Sequence, residues 1–297
     1  MNKVYFLMLV GLPCSGKSTI SKELSDKYNA TIFSSDALRE EMFGDVNDQT
    51  HNQELFVELH KRIKDCLSSG KSAIYDACNI SYKRRMAFLA ELKSIPCEKI
   101  CIVMATPLIV CYERNAMRER KVPIDVITRM FKSFNVPYFY EGWDDIQIEY
   151  GDYAKYYGEP MNFYIGYMNY DQRNSHHTLS LGEHCRQVSL HVGYDVDLIY
   201  AGLLHDCGKP ACKTIVNKKG ENDGNCHYYD HQYAGCYQSL FYNYGDINPL
   251  DVAIIIMWHM QPYFNKEEKT KNKYRQLWGE ELYNKVMKIH EADRAAH

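Results

Sequence analysis

Apolar and polar positions divide this 297-residue chain into two stretches with different periods. Val4–Val10 is an unbroken apolar run, the pattern of a strand buried on both faces. Helical spacing follows over Ser18–Tyr28, with Ile20 and Leu24 on one side, and Thr31–Phe33 predicts a short second strand. Helical spacing resumes over Glu54–Leu67 and stops at Gly70. Ser72–Tyr75 predicts a third strand, Met86–Leu92 lies in another helix, and Ile100–Met104 predicts a fourth strand. Repeated βα units predict a parallel α/β sheet. Past Trp143 the pattern changes. Residues 147–170 are rich in Tyr, Gly, Asn and Asp and predict a linker or an irregular docking segment. From His176 onward helical periods dominate, with candidate helices at 178–192, 196–206, 230–243, 249–260 and 277–296. The expected organisation is an α/β domain over 1–150, a connecting segment over 151–170 and an all-α domain over 171–297. A chain of this length suits two domains of about 150 residues, each with its own core.

Composition changes this picture in three places. A formal net charge of −3 is not that of a non-specific nucleic-acid binder. It leaves room for a local basic patch that grips a strand end. The 11 cysteines form no CxxC pair, which argues against a disulfide framework or a zinc ribbon and predicts reduced thiols in a cytoplasmic setting. No stretch approaches the roughly 20 apolar residues that span a bilayer, so no membrane association is expected. Ten of the 12 histidines fall in residues 176–297, which points to metal binding in the second half.

Gly11-Leu12-Pro13-Cys14-Ser15-Gly16-Lys17-Ser18 fits G-x-x-x-x-G-K-[ST] between a predicted strand and a predicted helix. Backbone N–H groups of such a loop, with Gly11, Ser15, Gly16 and Thr19 in or beside it, would cradle the phosphates of ATP or another NTP. Lys17 would reach the β- and γ-phosphates and Ser18 would ligate Mg²⁺. Asp36 follows the second predicted strand, at the end where open parallel sheets bind ligands. It reads either as a general base for an attacking hydroxyl or as a helix N-cap. Arg39, three residues on, reads either as a cation for an acceptor phosphate or as a surface charge. Asp76 and Asn79 end the third strand and read either as Mg²⁺ and acceptor contacts or as turn chemistry. Arg114 and Arg118 stand at i, i+4 in a basic run. On one helix they would lean over the nucleotide as a lid; the alternative is a solvated charged face.

In the second half, Leu203-Leu204-His205-Asp206-Cys207-Gly208-Lys209 ends a predicted helix with an adjacent His and Asp. Further donors stand in order at His184, His231, His259 and Asp293. His227 and His231 are also spaced i, i+4, but His227 precedes the expected helix start at Asp230. A mixed His/Asp set suits Mn²⁺, Fe²⁺, Co²⁺, Ni²⁺ or Zn²⁺, one or two ions, with Asp206 able to bridge them. Such ions polarise phosphoryl groups.

Residues 3–143 resemble the kinase module of phage and bacterial 5′-polynucleotide kinase–phosphatases. The P-loop, the Asp36/Arg39 pair, the Asp76/Asn79 segment and Arg114-Asn115-x-x-Arg118 with its following Val122-Pro123-Ile124-Asp125-Val126-Ile127 carry the resemblance. It implies Asp36 as general base, Arg39 on the acceptor-strand phosphate and Arg118 as the catalytic lid arginine. Residues 176–297 resemble the HD phosphohydrolase superfamily, and His176-His177-Thr178-Leu179-Ser180-Leu181-Gly182-Glu183-His184 is similar to the opening of members related to tRNA nucleotidyltransferase hydrolase domains. That resemblance implies an all-α fold. It places His184, His205, Asp206 and Asp293 around one metal, His231 and His259 at a second, and Lys209 on a substrate phosphate. The pair implies an enzyme that heals RNA or DNA ends for a ligase, adding a 5′-phosphate and removing a 3′-phosphate or 2′,3′-cyclic phosphate. The rival readings are a nucleoside or nucleotide kinase fused to an HD nucleotidase, and a non-catalytic, nucleotide-switched binding module. Tyrosines 138, 140, 150, 153, 156 and 157 would either stack bases or pack between domains.

Overall fold

A computed structural model describes residues 3–174, 178–264 and 267–296; His176 and His177 lie outside the described residues. The chain divides into two compact units, residues 1–127 with 137–151, and residues 128–136 with 152–297.

The first unit opens with β1 (Tyr5–Val10), α1 (Lys17–Tyr28), β2 (Ala30–Ser34), α2 (Ser35–Phe43), α3 (Asn52–Ser68) and β3 (Ser72–Asp76). It continues through α4 (Tyr82–Glu91), β4 (Glu98–Met104) and α5 (Leu108–Met117) and closes with β5 (Asp145–Glu149). Helix α6 (Ile124–Phe131) precedes β5 in the chain, and its end groups with the second unit. Among the described residues the strands form one parallel sheet in the order β2-β3-β1-β4-β5. The apolar run of β1 explains its central place. Phe6 and Met8 register against Ala73 and Tyr75 of β3, and Tyr5 through Val10 against Glu98 through Val103 of β4. Leu7, Leu9, Ile74, Ile100 and Ile102 pack under Leu24 of α1 in one cluster. Because all strands run the same way, the carboxyl ends of β1, β2, β3 and β4 meet at one edge, where parallel sheets bind ligands.

A fully buried ion pair braces that edge. Arg85 of α4 donates Nε and Nη2 to the two oxygens of Glu141 at 2.7 and 2.6 Å. Its Nη1 donates to the carbonyl of Asn79 at 2.9 Å, and Trp143 donates to Glu141 at 3.0 Å. One guanidinium thus ties the segment after β3 to the segment before β5.

The second unit is helical: α7 (Met161–Tyr167), α8 (Leu181–His191), α9 (Val196–Leu204), α10 (Lys209–Cys212), α11 (His231–Ser239), α12 (Pro249–Trp258), α13 (Gln261–Phe264) and α14 (Glu268–Ala295). Ser180, Asp195 and Asn248 cap α8, α9 and α12 through side-chain oxygens that accept backbone N–H groups. α12 is buried from Val252 to Trp258, so it has no polar face. α14 breaks at Gly279, which adopts φ 76° and ψ 162°.

The structure differs from the sequence reading around residue 150. β5 takes residues 145–149, three of them within the stretch read from composition as linker. It is a half-exposed edge strand whose Asp145, Gln147 and Glu149 alternate with isoleucines, so its apolar content is low. Residues 151–170 contain α7, and Tyr157 bonds the Phe241 carbonyl at 3.1 Å and packs its ring on Phe241 and Tyr242. Residues 128–136 belong with the second unit because Phe131 and Phe134 pack edge-on against Tyr237 at 5.9 and 4.6 Å.

The buried ion pair gives a direct stability test. Glu141→Ala leaves the Arg85 guanidinium buried without its partner and should lower the stability of the first unit by about 3–5 kcal/mol. The double variant Arg85→Met, Glu141→Leu should recover most of that loss. Urea unfolding followed by tryptophan fluorescence measures both, and a single-variant loss below about 1 kcal/mol would contradict the bracing role.

Candidate functional site

Two constellations stand out, one in each unit. In the first, the loop after β1 turns at Gly16, whose φ of 97° lies in the left-handed region that favours glycine, and α1 begins at Lys17. The unpaired N–H groups of that helix start point back toward the loop, the geometry of an anion site. Lys17 donates to the carbonyls of Gly11 and Leu12 at 3.1 and 2.6 Å and to Ser15 Oγ at 3.4 Å. Thr106, after β4, donates to the Ser15 carbonyl at 2.9 Å. Ser18 and Thr19 lie exposed in the first turn of α1. Ser18 donates to Asp76 Oδ2 at 3.1 Å, because β3 is the immediate neighbour of β1. Burial raises Asp76 above the usual carboxylate range, with Lys17 and the Ser18 hydroxyl opposing. A hydroxyl and a carboxylate side by side at a P-loop fit Mg²⁺ chemistry.

Asp36 stands exposed in the first turn of α2, and Ser34, not Asp36, is the N-cap. Arg120 holds it: Nη1 lies 3.0 Å from Asp36 Oδ2, while Nε and Nη2 bond Asn47 Oδ1 and the Val46 carbonyl at 2.9 and 3.0 Å. Arg39 does not stand beside it as a surface cation. It is 4% exposed and donates to the Asp48 carbonyl and to Asn52 Oδ1, anchoring the loop between α2 and α3. Asn79 also turns inward. Its φ is 48° and its amide donates to the Leu9 carbonyl at 2.9 Å, which fastens the end of β3 to β1. Arg114 and Arg118 do not share a helix face, since α5 ends at Met117 and Arg118 is extended with ψ 148°. Both still reach the P-loop at Cys14, Arg114 Nη1 to its carbonyl at 3.4 Å and Arg118 Nη1 to its Sγ at 3.3 Å. Asn115 sets this course by pairing with both backbone groups of Val122 at 2.8 and 2.9 Å.

In the second unit, His184 of α8, His205 and Asp206 after α9, His231 of α11, His259 after α12 and Asp293 of α14 converge, all buried. Each imidazole is oriented by its Nδ1. These atoms face the carbonyls of Ala296, Gly202, Tyr228 and Ile256 at 3.0, 2.9, 2.7 and 2.7 Å. An N–H donated there turns every Nε2 inward. The Nε2 atoms of His184 and His205 lie 3.2 Å apart, and those of His231 and His259 3.3 Å apart. Nitrogens at that distance share either a proton or a metal ion between them. Asp206 serves both pairs: Oδ2 lies 3.3 Å from His205 and Oδ1 3.1 Å from His231. Asp293 Oδ1 lies 3.0 Å from His184. His184, His205 and Asp206 form one possible metal-holding group, and Asp206, His231 and His259 a second. The donor set fits divalent ions, and such an ion would supply Lewis acidity toward a phosphate oxygen.

His205 carries charge within the cluster: burial opposes it, but Asp206 raises its imidazole well above the usual range. Burial pushes His259 down to about 3, helped by His205 and His231, so it is a neutral donor. Burial opposes the charge on Asp206, but Lys209 and His205 outweigh it and hold its carboxyl well below the usual range. Lys209 Nζ lies 2.7 Å from Asp206 Oδ2 and 2.8 Å from Gln172 Oε1, so it neutralises the bridging carboxylate from within the site. Gly208 between them is required by space, since a Cβ there would sit 2.1 Å from the His231 carbonyl. Tyr263 donates to Asp293 Oδ2 at 2.8 Å, and burial and Asp293 together raise its phenol. His227 lies apart from the cluster and pairs with Asp223 at 3.1 Å.

Arg120, Gln172 and Tyr263 are the partners that sequence reasoning did not single out. Arg120 lay in the basic run already noted; nothing local marked the other two.

Residues 6–137 match the family model described as AAA domain, and residues 174–296 the one described as HD domain. The chain is 29% identical to the L-seryl-tRNA(Sec) kinase of Methanococcus maripaludis over 150 residues, 48% of this chain and 58% of that protein. It thus spans less than two thirds of that relative's length. Among solved structures it is similar to Kti12 of Chaetomium thermophilum in complex with ADP-AlF3, at 14% identity and TM-score 0.42 over 51% of this chain and 92% of that one. It is also similar to a chain of the Pnkp1/Rnl/Hen1 RNA repair complex, at 18% identity and TM-score 0.38 over 44% and 43%. The N-terminal unit is a P-loop, kinase-like domain with a five-stranded parallel sheet, and the C-terminal unit a helical HD domain. No helix among the described residues is long and apolar enough to cross a membrane.

The shared carboxylate makes metal content a clear readout. Asp206→Asn should strip most divalent metal from the purified protein, measured by plasma mass spectrometry, because both donor groups lose the same ligand. His227→Ala should keep the wild-type ratio. Equal metal in the two variants would contradict the assignment.

Proposed function

We propose that the protein heals nucleic-acid ends, with the P-loop unit phosphorylating a 5′-hydroxyl and the HD unit removing a 3′-phosphate or 2′,3′-cyclic phosphate. The observation that carries the kinase half is the ring of groups at the carboxyl edge of the sheet. Asp36 lies exposed beyond β2, Asp76 and Ser18 face each other, and Arg114 and Arg118 lie over the P-loop. In the proposed reaction the hydroxyl oxygen attacks the γ-phosphorus of ATP, or of another NTP, and its proton passes to the Asp36 carboxylate. The bond from that phosphorus to the β–γ bridging oxygen breaks, and the nucleoside diphosphate leaves. Lys17 and Arg118 carry positive charge to the oxygens on which charge develops. Ser18 and Asp76 would hold Mg²⁺, which would neutralise phosphate charge. The relative at 29% identity is named for a tRNA-borne acceptor, which supports RNA over a free nucleoside.

At the second site Lys209 brings positive charge and the imidazoles and Asp206 bring metal donors to one buried cluster, a chemistry suited to a phosphate ester. The products, a 5′-phosphate and a 3′-hydroxyl, are what a ligase joins.

The test is an oligonucleotide carrying a 5′-hydroxyl and a 3′-phosphate, incubated with ATP, Mg²⁺ and Mn²⁺ or Ni²⁺ and resolved by mass. The 5′ end should gain a phosphate and the 3′ end lose one. Asp36→Ala or Arg118→Ala should reduce the gain about 100-fold or more and spare the loss. His205→Ala with Asp206→Ala should do the reverse. If either change removed both activities in a folded protein, the two-site proposal would fail. Phosphorylation of a free nucleoside with neither end altered would favour a small-molecule kinase.

A further inference from the structure

Asp293 stands in the cluster with its two oxygens committed differently. Oδ1 lies 3.0 Å from Nε2 of His184 and 3.7 Å from Nε2 of His205. Those two nitrogens are 3.2 Å apart. Ligand atoms bound at about 2.1 Å to one divalent ion stand roughly 3 to 3.5 Å from one another. The three atoms have that spacing within a few tenths of an ångström, so they can share an ion. Oδ2 has another partner: the Tyr263 hydroxyl donates to it at 2.8 Å.

That bond settles something the aspartate cannot settle alone. The last torsion of an aspartate side chain is broad and nearly two-fold, so an unrestrained carboxylate can offer an ion either oxygen or both. A donor fixed on Oδ2 leaves Oδ1 as the one that faces the imidazoles. Tyr263 is held well enough to impose this. Its ring meets His290 edge-on at 4.4 Å, and its backbone N–H donates to the Met260 carbonyl at 3.2 Å. The turn that follows His259 therefore also delivers the hydroxyl, and Asp293, on α14, is 7% exposed where it receives it.

We propose that Tyr263 is the positioning residue of Asp293: its hydroxyl fixes the carboxylate as a one-oxygen ligand of the ion held with His184 and His205. It acts on that ion and not on one held by Asp206, His231 and His259. The inference rests on reading the cluster as a metal centre and is independent of which ester that centre cleaves. Removing an outer donor of this kind costs about 10- to 100-fold in metal affinity. Tyr263→Phe removes the hydroxyl alone and keeps the ring against His290.

Titration of the metal-free full chain with Co²⁺, read by visible absorption, tests this without substrate. His231→Ala leaves the ligands of the first donor group in place, and His184→Ala those of the second. In the His231→Ala background Tyr263→Phe should weaken Co²⁺ binding at least about tenfold, and in the His184→Ala background it should change binding by less than about twofold. In the otherwise unaltered chain the same change should weaken one class of Co²⁺ site and spare the other. Metal-free proteins with and without the hydroxyl should melt alike by circular dichroism. Equal weakening at both donor groups, or a lower melting temperature without metal, would make Tyr263 a general support of the fold and overturn the proposal. Unchanged binding in a chain that takes up Co²⁺ removes the role of Tyr263 alone. An unaltered chain that takes up no Co²⁺ removes the metal reading of the cluster and the proposal with it.

Discussion

A carboxylate at 2% exposure is the constraint on which the second unit depends. Asp206 cannot remain charged in that interior unless positive or donating groups surround it. The fold meets this demand from several elements at once: His205 beside it, Lys209 one turn on, His231 from α11 and His259 from the end of α12. Helices that would otherwise meet only through apolar contacts are thereby fixed at their ends. α12 illustrates the division of labour. Its body is wholly apolar and supplies packing, while its last step delivers an imidazole to the carboxylate. His184 closes the arrangement from the far end of the sequence by bonding the Ala296 carbonyl.

The first unit solves a different problem with the same economy of position. Parallel strands bring their carboxyl ends to one edge, and the order of the sheet decides which chemistries become neighbours. Because β3 inserts beside β1, the serine of the P-loop meets Asp76. Because the segment after β3 carries Asn79 inward to Leu9 and is gripped by Arg85, that edge is held from behind by a buried ion pair.

Much of this was legible in the sequence, for physical reasons. The P-loop was legible because its spacing and its strand–turn–helix context agree. The central strands were legible because burial on both faces leaves a continuous apolar run, and the order of His and Asp donors showed where the second half gathers its chemistry. What escaped depends on tertiary surroundings. β5 is half exposed and polar at alternate positions, so it reads as irregular chain. Arg39 looks like a surface cation until α3 and its preceding loop cover it. Arg118 looks helical by spacing, but Asn115 pairs with Val122 and ends the helix before it. Gln172 and Tyr263 matter only through Lys209 and Asp293, which lie far away in sequence.

The orientation of the imidazoles has a consequence for how this centre tolerates change. In His205, His231 and His259, Nδ1 meets the carbonyl three residues earlier in the same stretch of chain. Each ring is therefore aimed by its own local turn and not by a remote side chain. Loops between these helices can lengthen or shorten and leave every ring aligned on its own helix. Shifting one of these histidines by a single position would swing its ring by about 100° around the helix axis. Insertions are thus absorbed between these turns and are ruinous within them, at the end of α9 and α12 and at the start of α11, which makes local register, not connecting length, the quantity that a lineage of such chains must keep.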